Sequence, residues 1–198
     1  MKLFHQTYKT KTDEELMRAI QSGETKAFDV LYDRYSARLL NYFYRRLGQQ
    51  ENVAQDMLHD LFVKIIEKPF LFDANKSFST WIYTVASNMC KNEYRRRDIR
   101  KIEQRLHDND EHENIESEST PDELLEQKSF TEALFQKLDQ LDDIKQNTFL
   151  LRFQHQLSIK EISEVMACSP GTVKSRLFYT IRALADALQD YNPNEVYI

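Results

Sequence analysis

Apolar residues recur along this chain at three- and four-residue spacing, and the alternation that a half-buried strand requires is missing. The pattern predicts a nearly all-α fold. Thr12 and Glu15 form a capping box that opens a first helix, and Gly23 ends it. A second helix is expected from about Thr25 to Leu47, striped by Phe28, Leu31, Tyr35, Leu39 and Phe43, with Gly48 suited to its C-terminal cap. A third runs from about Asn52 to Lys68, where Pro69 stops it. After the loop PFLFDANK a fourth starts near Ser77, with Phe78, Ile82, Val85 and Met89 as its core side and Trp81 on the border.

The second half has clearer punctuation. A short amphipathic helix from Phe130 to Asp139 precedes NTFLLRFQHQ, and then comes LSIKEISEVMACSPGTVKSRLFYTIRALADAL. Ser158 and Glu161 make a capping box for a helix through Met166, and Ala167-Cys168-Ser169 forms a tight turn. Ser169 caps a further helix with Pro170 at its first position, where a missing N–H costs nothing. Two short helices around a three-residue turn are a helix-turn-helix. On the second of them Val173, Leu177, Ile181, Leu184 and Leu188 form the expected buried stripe.

Charge divides the chain. Residues 1–100 carry 17 Lys/Arg against 13 Asp/Glu, residues 101–128 carry 3 against 10, and residues 129–198 carry 7 against 9. The net charge of −5 therefore hides a basic first part, and most of the acidity sits in one polar segment. We read 1–100 and 129–198 as two small helical domains and 101–128 as a flexible, self-repelling acidic linker. No apolar run approaches the roughly 18 residues of a membrane span, so no membrane insertion is expected. The N-terminus lacks a secretory apolar core, and Cys90 and Cys168 stand alone, as reduced thiols of a cytoplasmic protein would. Neither a nucleophile–base set, a metal cluster nor a phosphate loop is apparent, so the chain reads as a non-enzyme without cofactor or metal. His59-Asp60 resembles a dipeptide of metal phosphohydrolases, but no convincing further ligands accompany it.

What the residues offer instead is nucleic-acid chemistry. On the fourth helix Tyr83, Thr84, Ser87, Asn88, Lys91, Tyr94 and Arg95 fall on or beside the side away from the core stripe. Rings that stack on bases, amides that match base edges and cations that track phosphates suit single-stranded DNA. On the last helix Thr172, Ser175, Phe178 and Tyr179 point away from the stripe, flanked by Lys174 and Arg176. Such a helix fits a major groove, with hydroxyls for base edges, Phe178 for a thymine methyl, and Lys174, Arg176 and Arg182 for phosphates. The third helix carries Asp56 and Asp60 one turn apart among surplus apolar residues, a docking face for a basic protein. A free helix-turn-helix regulator is the rival reading, although no dimerisation helix is evident.

The motifs AFDVLYDRY, AQDMLHDLFVKI, FSTWIYTVASN and LSIKEISEVMACSPGTVKSRL together resemble bacterial sigma factors of the extracytoplasmic-function group, over about Asp13 to Leu188. The resemblance implies a first domain that docks on the β′ clamp helices of core RNA polymerase and melts the −10 promoter element. It implies a second that binds the −35 element beside the β flap, and an anti-sigma factor as a further partner. By position, Asp56, Asp60 and Phe62 resemble polymerase-docking residues, and Asn88 with the loop Phe70–Lys76 resembles the pocket for a flipped base. Lys174, Ser175, Phe178 and Tyr179 resemble −35 readers. Arg is common in relatives at the positions of Thr84 and Tyr179, so the resemblance does not imply which promoter sequence is read.

Overall fold

The computed structural model describes residues 8–107 and 130–189, and within them every regular element is helical. Four helices build the first half: α1 (Asp13–Gln21), α2 (Thr25–Arg46), α3 (Glu51–Glu67) and α4 (Phe78–His107). Four build the second: α5 (Phe130–Asp139), α6 (Asp143–Phe149), α7 (Ile159–Val165) and α8 (Pro170–Ala187). The expected punctuation is present in atomic detail. Both halves of the capping box form at Thr12/Glu15 and again at Ser158/Glu161. Ser169 accepts from the Thr172 backbone with Pro170 at the first helical position. Gly23 and Gly48 hold φ of 89° and 70°, a left-handed geometry that ends a helix without a Cβ clash.

In the first half α2 packs on α1 and α3, and α4 crosses this layer. Leu16, Leu31, Leu39, Phe43, Leu61, Phe78 and Ile82 are buried in the resulting core. The loop before α4 is part of it, because Phe72 is buried with its ring 5.4 Å from Phe78 and 5.3 Å from Trp81. In the second half α8 packs on α5, α6 and α7. Leu138, Leu150 and Leu184 form a small cluster of their own there.

The two halves are not separate bodies. Helix α7 lies along α4, and Leu151, Leu157, Ile162 and Val165 join the same apolar cluster as the first half. Between α6 and α7 the chain takes a π-helical turn over Leu150–Gln154, in which the His155 amide donates to the Leu150 carbonyl at 3.0 Å.

Three expectations change here. Helix α4 continues through His107, so the first residues assigned to the linker, 101–107, are helical; the remainder, 108–128, lies outside the described residues. Ile181 is 45% exposed, and Thr180 takes the buried place on α8, returning its hydroxyl to the Arg176 carbonyl at 2.7 Å. Val85 and Met89 only border the core, being half-buried. The cause is common to the last two: the arc that faces the neighbouring helices is offset from the apolar stripe, toward Thr180 on α8 and toward Tyr83, Ala86 and Ser87 on α4.

Candidate nucleic-acid interface

Helix α8 is anchored by Val173, Leu177 and Leu184 beneath it. That anchoring leaves Lys174, Ser175, Phe178 and Tyr179 exposed in one patch, and the two rings meet edge to face at 5.4 Å. Two neighbours are less free. The Thr172 hydroxyl lies 2.9 Å from Ser169 Oγ within the helix cap, and a half-buried Arg176 donates to Cys168 Sγ at 3.4 Å. The patch therefore offers two hydroxyls, of Ser175 and Tyr179, one ammonium and two rings, groups with the chemistry to meet base edges and phosphates.

Helix α4 divides its polar residues between two sides. Asn88 and Arg95 are exposed, and Thr84, Lys91 and Tyr94 are half-buried. Tyr83 and Ser87 are fully buried, which overturns their expected place on a solvent-facing side. The second half of the chain covers them. Tyr83 Oη lies 2.9 Å from His155 Nδ1, and Asn147 Nδ2 donates to Ser87 Oγ at 3.2 Å. Burial pushes the Tyr83 phenol up to about 12 and, with Arg38 close by, pulls the His155 imidazole down to about 3, so both are neutral near pH 7. Tyr94 is also engaged, its hydroxyl bonded to the Arg46 carbonyl.

The side of α4 that stays open follows Trp81, Thr84 and Asn88. Asn88 stands two turns, roughly 10 Å by helix rise, beyond Trp81 on the side where the loop packs. At the lip of that loop Phe70 is 79% exposed and Leu71 58%, unusual for large apolar groups with no role in the core. One turn beyond Asn88, exposed Asn92 supplies a second amide. The sequence reading passed over it; its signal was the i, i+4 spacing from Asn88. With Met57, Asp60, Lys64, Met89 and Arg96 it lines a groove between α3 and α4.

On α3 the acidic side is free, with Asp56 and Asp60 exposed. Phe62 is not: it is 4% exposed, 5.7 Å from the Phe28 ring and 4.7 Å from that of Tyr32. Its burial against those rings overturns the exposed place expected for it beside Asp56 and Asp60. Among the described residues no His/Cys/Asp/Glu group is arranged to hold a metal ion, and no helix is long and apolar enough to cross a membrane.

Comparison with known proteins agrees with this layout. The family model of sigma-70 region 2 matches residues 31–99, and that of sigma-70 region 4 matches residues 131–184. The RNA polymerase sigma-H factor of Pseudomonas aeruginosa is 29% identical over 183 residues, 89% of this chain and 94% of its own length. The ECF RNA polymerase sigma-E factor of Escherichia coli K12 is likewise 29% identical, over 90% of this chain and 95% of its own. Among solved structures, CnrH in complex with the cytosolic domain of CnrY superposes with a TM-score of 0.65 at 22% identity, covering 91% of this chain and 99% of that one. The sigma factor RpoE of Bartonella quintana, solved with the anti-sigma factor NepR, gives 0.65 at 18% identity over 84% of this chain and 99% of its own. The two matched regions span both halves in the order of the fold, and the chain belongs to the sigma-70 family, in its extracytoplasmic-function group.

Proposed function

We propose that this chain is an alternative sigma factor: it binds core RNA polymerase and directs promoter-specific initiation of transcription. One observation carries the reading. A single chain pairs an anchored recognition helix, with Lys174, Ser175, Phe178 and Tyr179 turned outward, with an open helix side bearing Asn88. In this reading α8 takes the −35 element, and the Asn88 side of α4 with the loop Phe70–Lys76 takes one extruded base of the −10 element. Asp56 and Asp60 meet the β′ clamp helices, and region 4 sits beside the β flap. The magnitudes explain the division of labour. Flipping a base costs a few kcal/mol and stacking returns roughly 1–3 kcal/mol per base, so polymerase contacts have to supply the balance. The protein works by binding, in the cytoplasm with the polymerase. The structural likeness to RpoE, solved with the anti-sigma factor NepR, supports an anti-sigma factor as a further partner.

The test is in vitro transcription with core polymerase on candidate promoters, read with permanganate footprinting of the melted region. Specific transcripts and reactive thymines only when the chain is present are the expected result. Tight site-specific binding without polymerase, and no opening with it, would favour the free regulator.

A further inference from the structure

We propose that the segment following α8, residues 190–198, folds back and covers an apolar groove on the second half of the chain. The proposal stands apart from the sigma-factor reading, because the groove belongs neither to the outward patch of α8 nor to the open side of α4. It lies between α5, the π-helical turn and α8. Leu134, Phe135, Phe149, Phe153 and Ile181 line it with Gln154, around a volume of about 550 Å³. Phe153 is 50% exposed and Ile181 45%, although the Phe149 and Phe153 rings already pack at 4.7 Å. Large apolar groups left open beside a packed pair form a surface that gains free energy by being covered.

Size decides between occupants. A stable interface with an outside protein or a second copy takes about 20–30 residues a side, and six line this groove. A segment of the same chain needs far less contact, because its tether holds it near the site at an effective concentration in the millimolar range. Residues 190–198 read DYNPNEVYI and bring the matching chemistry. Val196, Tyr197 and Ile198 are three large apolar side chains in a row, and the tyrosine can bury its ring while its hydroxyl stays at the rim. Pro193 does not extend a helix, and between Asn192 and Asn194 it supplies the turn chemistry that a reversal requires. The reach is ample. Ile181 stands seven residues before the Leu188 cap of α8, about 10 Å back along the helix. Val196 stands eight residues beyond that cap, and such a stretch of chain spans up to ~26 Å.

The experiment locates the segment directly. The full chain with p-benzoylphenylalanine in place of Tyr197 is irradiated, digested and mapped by mass spectrometry. Crosslinks should fall within one molecule, on Leu134, Phe135, Phe149, Phe153 or Ile181. Val196→Asp with Ile198→Asp should lower their yield at least fivefold, and neither residue belongs to the described core, so the fold is kept. Ending the chain at Gln189 should raise the fluorescence of added anilinonaphthalene sulfonate severalfold, as an uncovered apolar groove does. Crosslinks that join two copies give the groove to a second molecule and overturn the proposal. Crosslinks scattered over other residues, a yield that the aspartate pair leaves unchanged, or unchanged dye fluorescence overturn it as well. So does a free chain without crosslinks when the same photoprobe in place of Phe153 captures a polymerase subunit, since the groove then belongs to the polymerase.

Discussion

Helices α4 and α8 each present tyrosines, hydroxyls and cations opposite an apolar stripe, yet the fold uses the two sets differently. On α8 Lys174, Ser175 and Tyr179 stay in solvent, and Tyr179 is 61% exposed. On α4 two of them, Tyr83 and Ser87, lie under the second half, and Tyr83 is fully buried between His155 and the Tyr42 ring, 5.7 Å away. A helical wheel identifies which residues avoid a helix's own core. It says nothing about a second domain arriving from outside.

The largest expected effect contrasts those two tyrosines directly. Tyr83→Ala removes a packed aromatic ring and should cost about 3–5 kcal/mol in urea denaturation. Tyr179→Ala should stay within about 0.5 kcal/mol of the parent. Similar losses at both would mean that the domains do not dock as described.

Next come the groups proposed to face DNA, where function replaces stability as the readout. Asn88→Ala should leave the fold and polymerase binding intact but reduce opening of duplex promoters by roughly 5- to 150-fold, the equivalent of 1–3 kcal/mol. A template premelted at the −10 element should restore much of it. Phe178→Ala and Ser175→Ala should act upstream instead, each changing base preference by roughly 1–3 kcal/mol and gaining nothing from the bubble. If the bubble rescues both helices equally, the two have not been assigned different jobs.

A smaller effect concerns α3. Reversing charge with Asp56→Lys and Asp60→Lys should weaken binding to core polymerase by about tenfold, mostly through association rate and with a strong salt dependence. The thermal midpoint should hold, since both side chains are exposed. Unchanged affinity would remove α3 from the docking surface.

The smallest expected effect is acid sensitivity of the contact between the two halves. Burial holds the His155 imidazole near 3, whereas a solvated histidine takes up its proton near 6.5. Between those values the unfolded chain binds one more proton than the folded one. The contribution is thus complete above about 6.5 and is lost progressively as pH falls toward 3. Stability measured from pH 7 to 5 should decline, and His155→Gln should flatten part of that slope. An identical slope in the variant would place the titrating group elsewhere.

Much of this was legible in the chain itself, for reasons that differ by element. Caps are local, so Thr12/Glu15, Ser158/Glu161 and Ser169-Pro170 announced their helices through residues a few positions apart. The recognition patch was legible because the tight turn at Cys168 fixes how α8 leaves α7, and the stripe under it is regular. The burial of Tyr83, Ser87 and Phe62 was not legible, because their partners His155, Asn147 and Phe28 lie far away in sequence. Amphipathic side chains such as tyrosine and serine satisfy a solvent face and a hydrogen-bonded interior alike, so composition alone does not choose between them. The end of α4 was misjudged for the opposite reason. Its last turns are rich in charge, and Ile99 and Ile102 stay exposed there, so no packed stripe marks where it stops.

The π-helical turn at Leu150–Gln154 has a consequence for spelling rather than for energy. Asn147 and His155, the two residues that reach Ser87 and Tyr83, are eight positions apart, and an unbroken α-helix would swing the second about 80° away from the first. A π-turn accommodates one surplus residue, so the pair behaves as though seven apart and returns to a common side. The spare letter works like an inserted character that realigns two words of a text. Deleting any one residue of Leu150–Gln154 would remove the spare letter and leave an unbroken α-helix in which the two stand seven apart, roughly 20° from alignment and still on a common side.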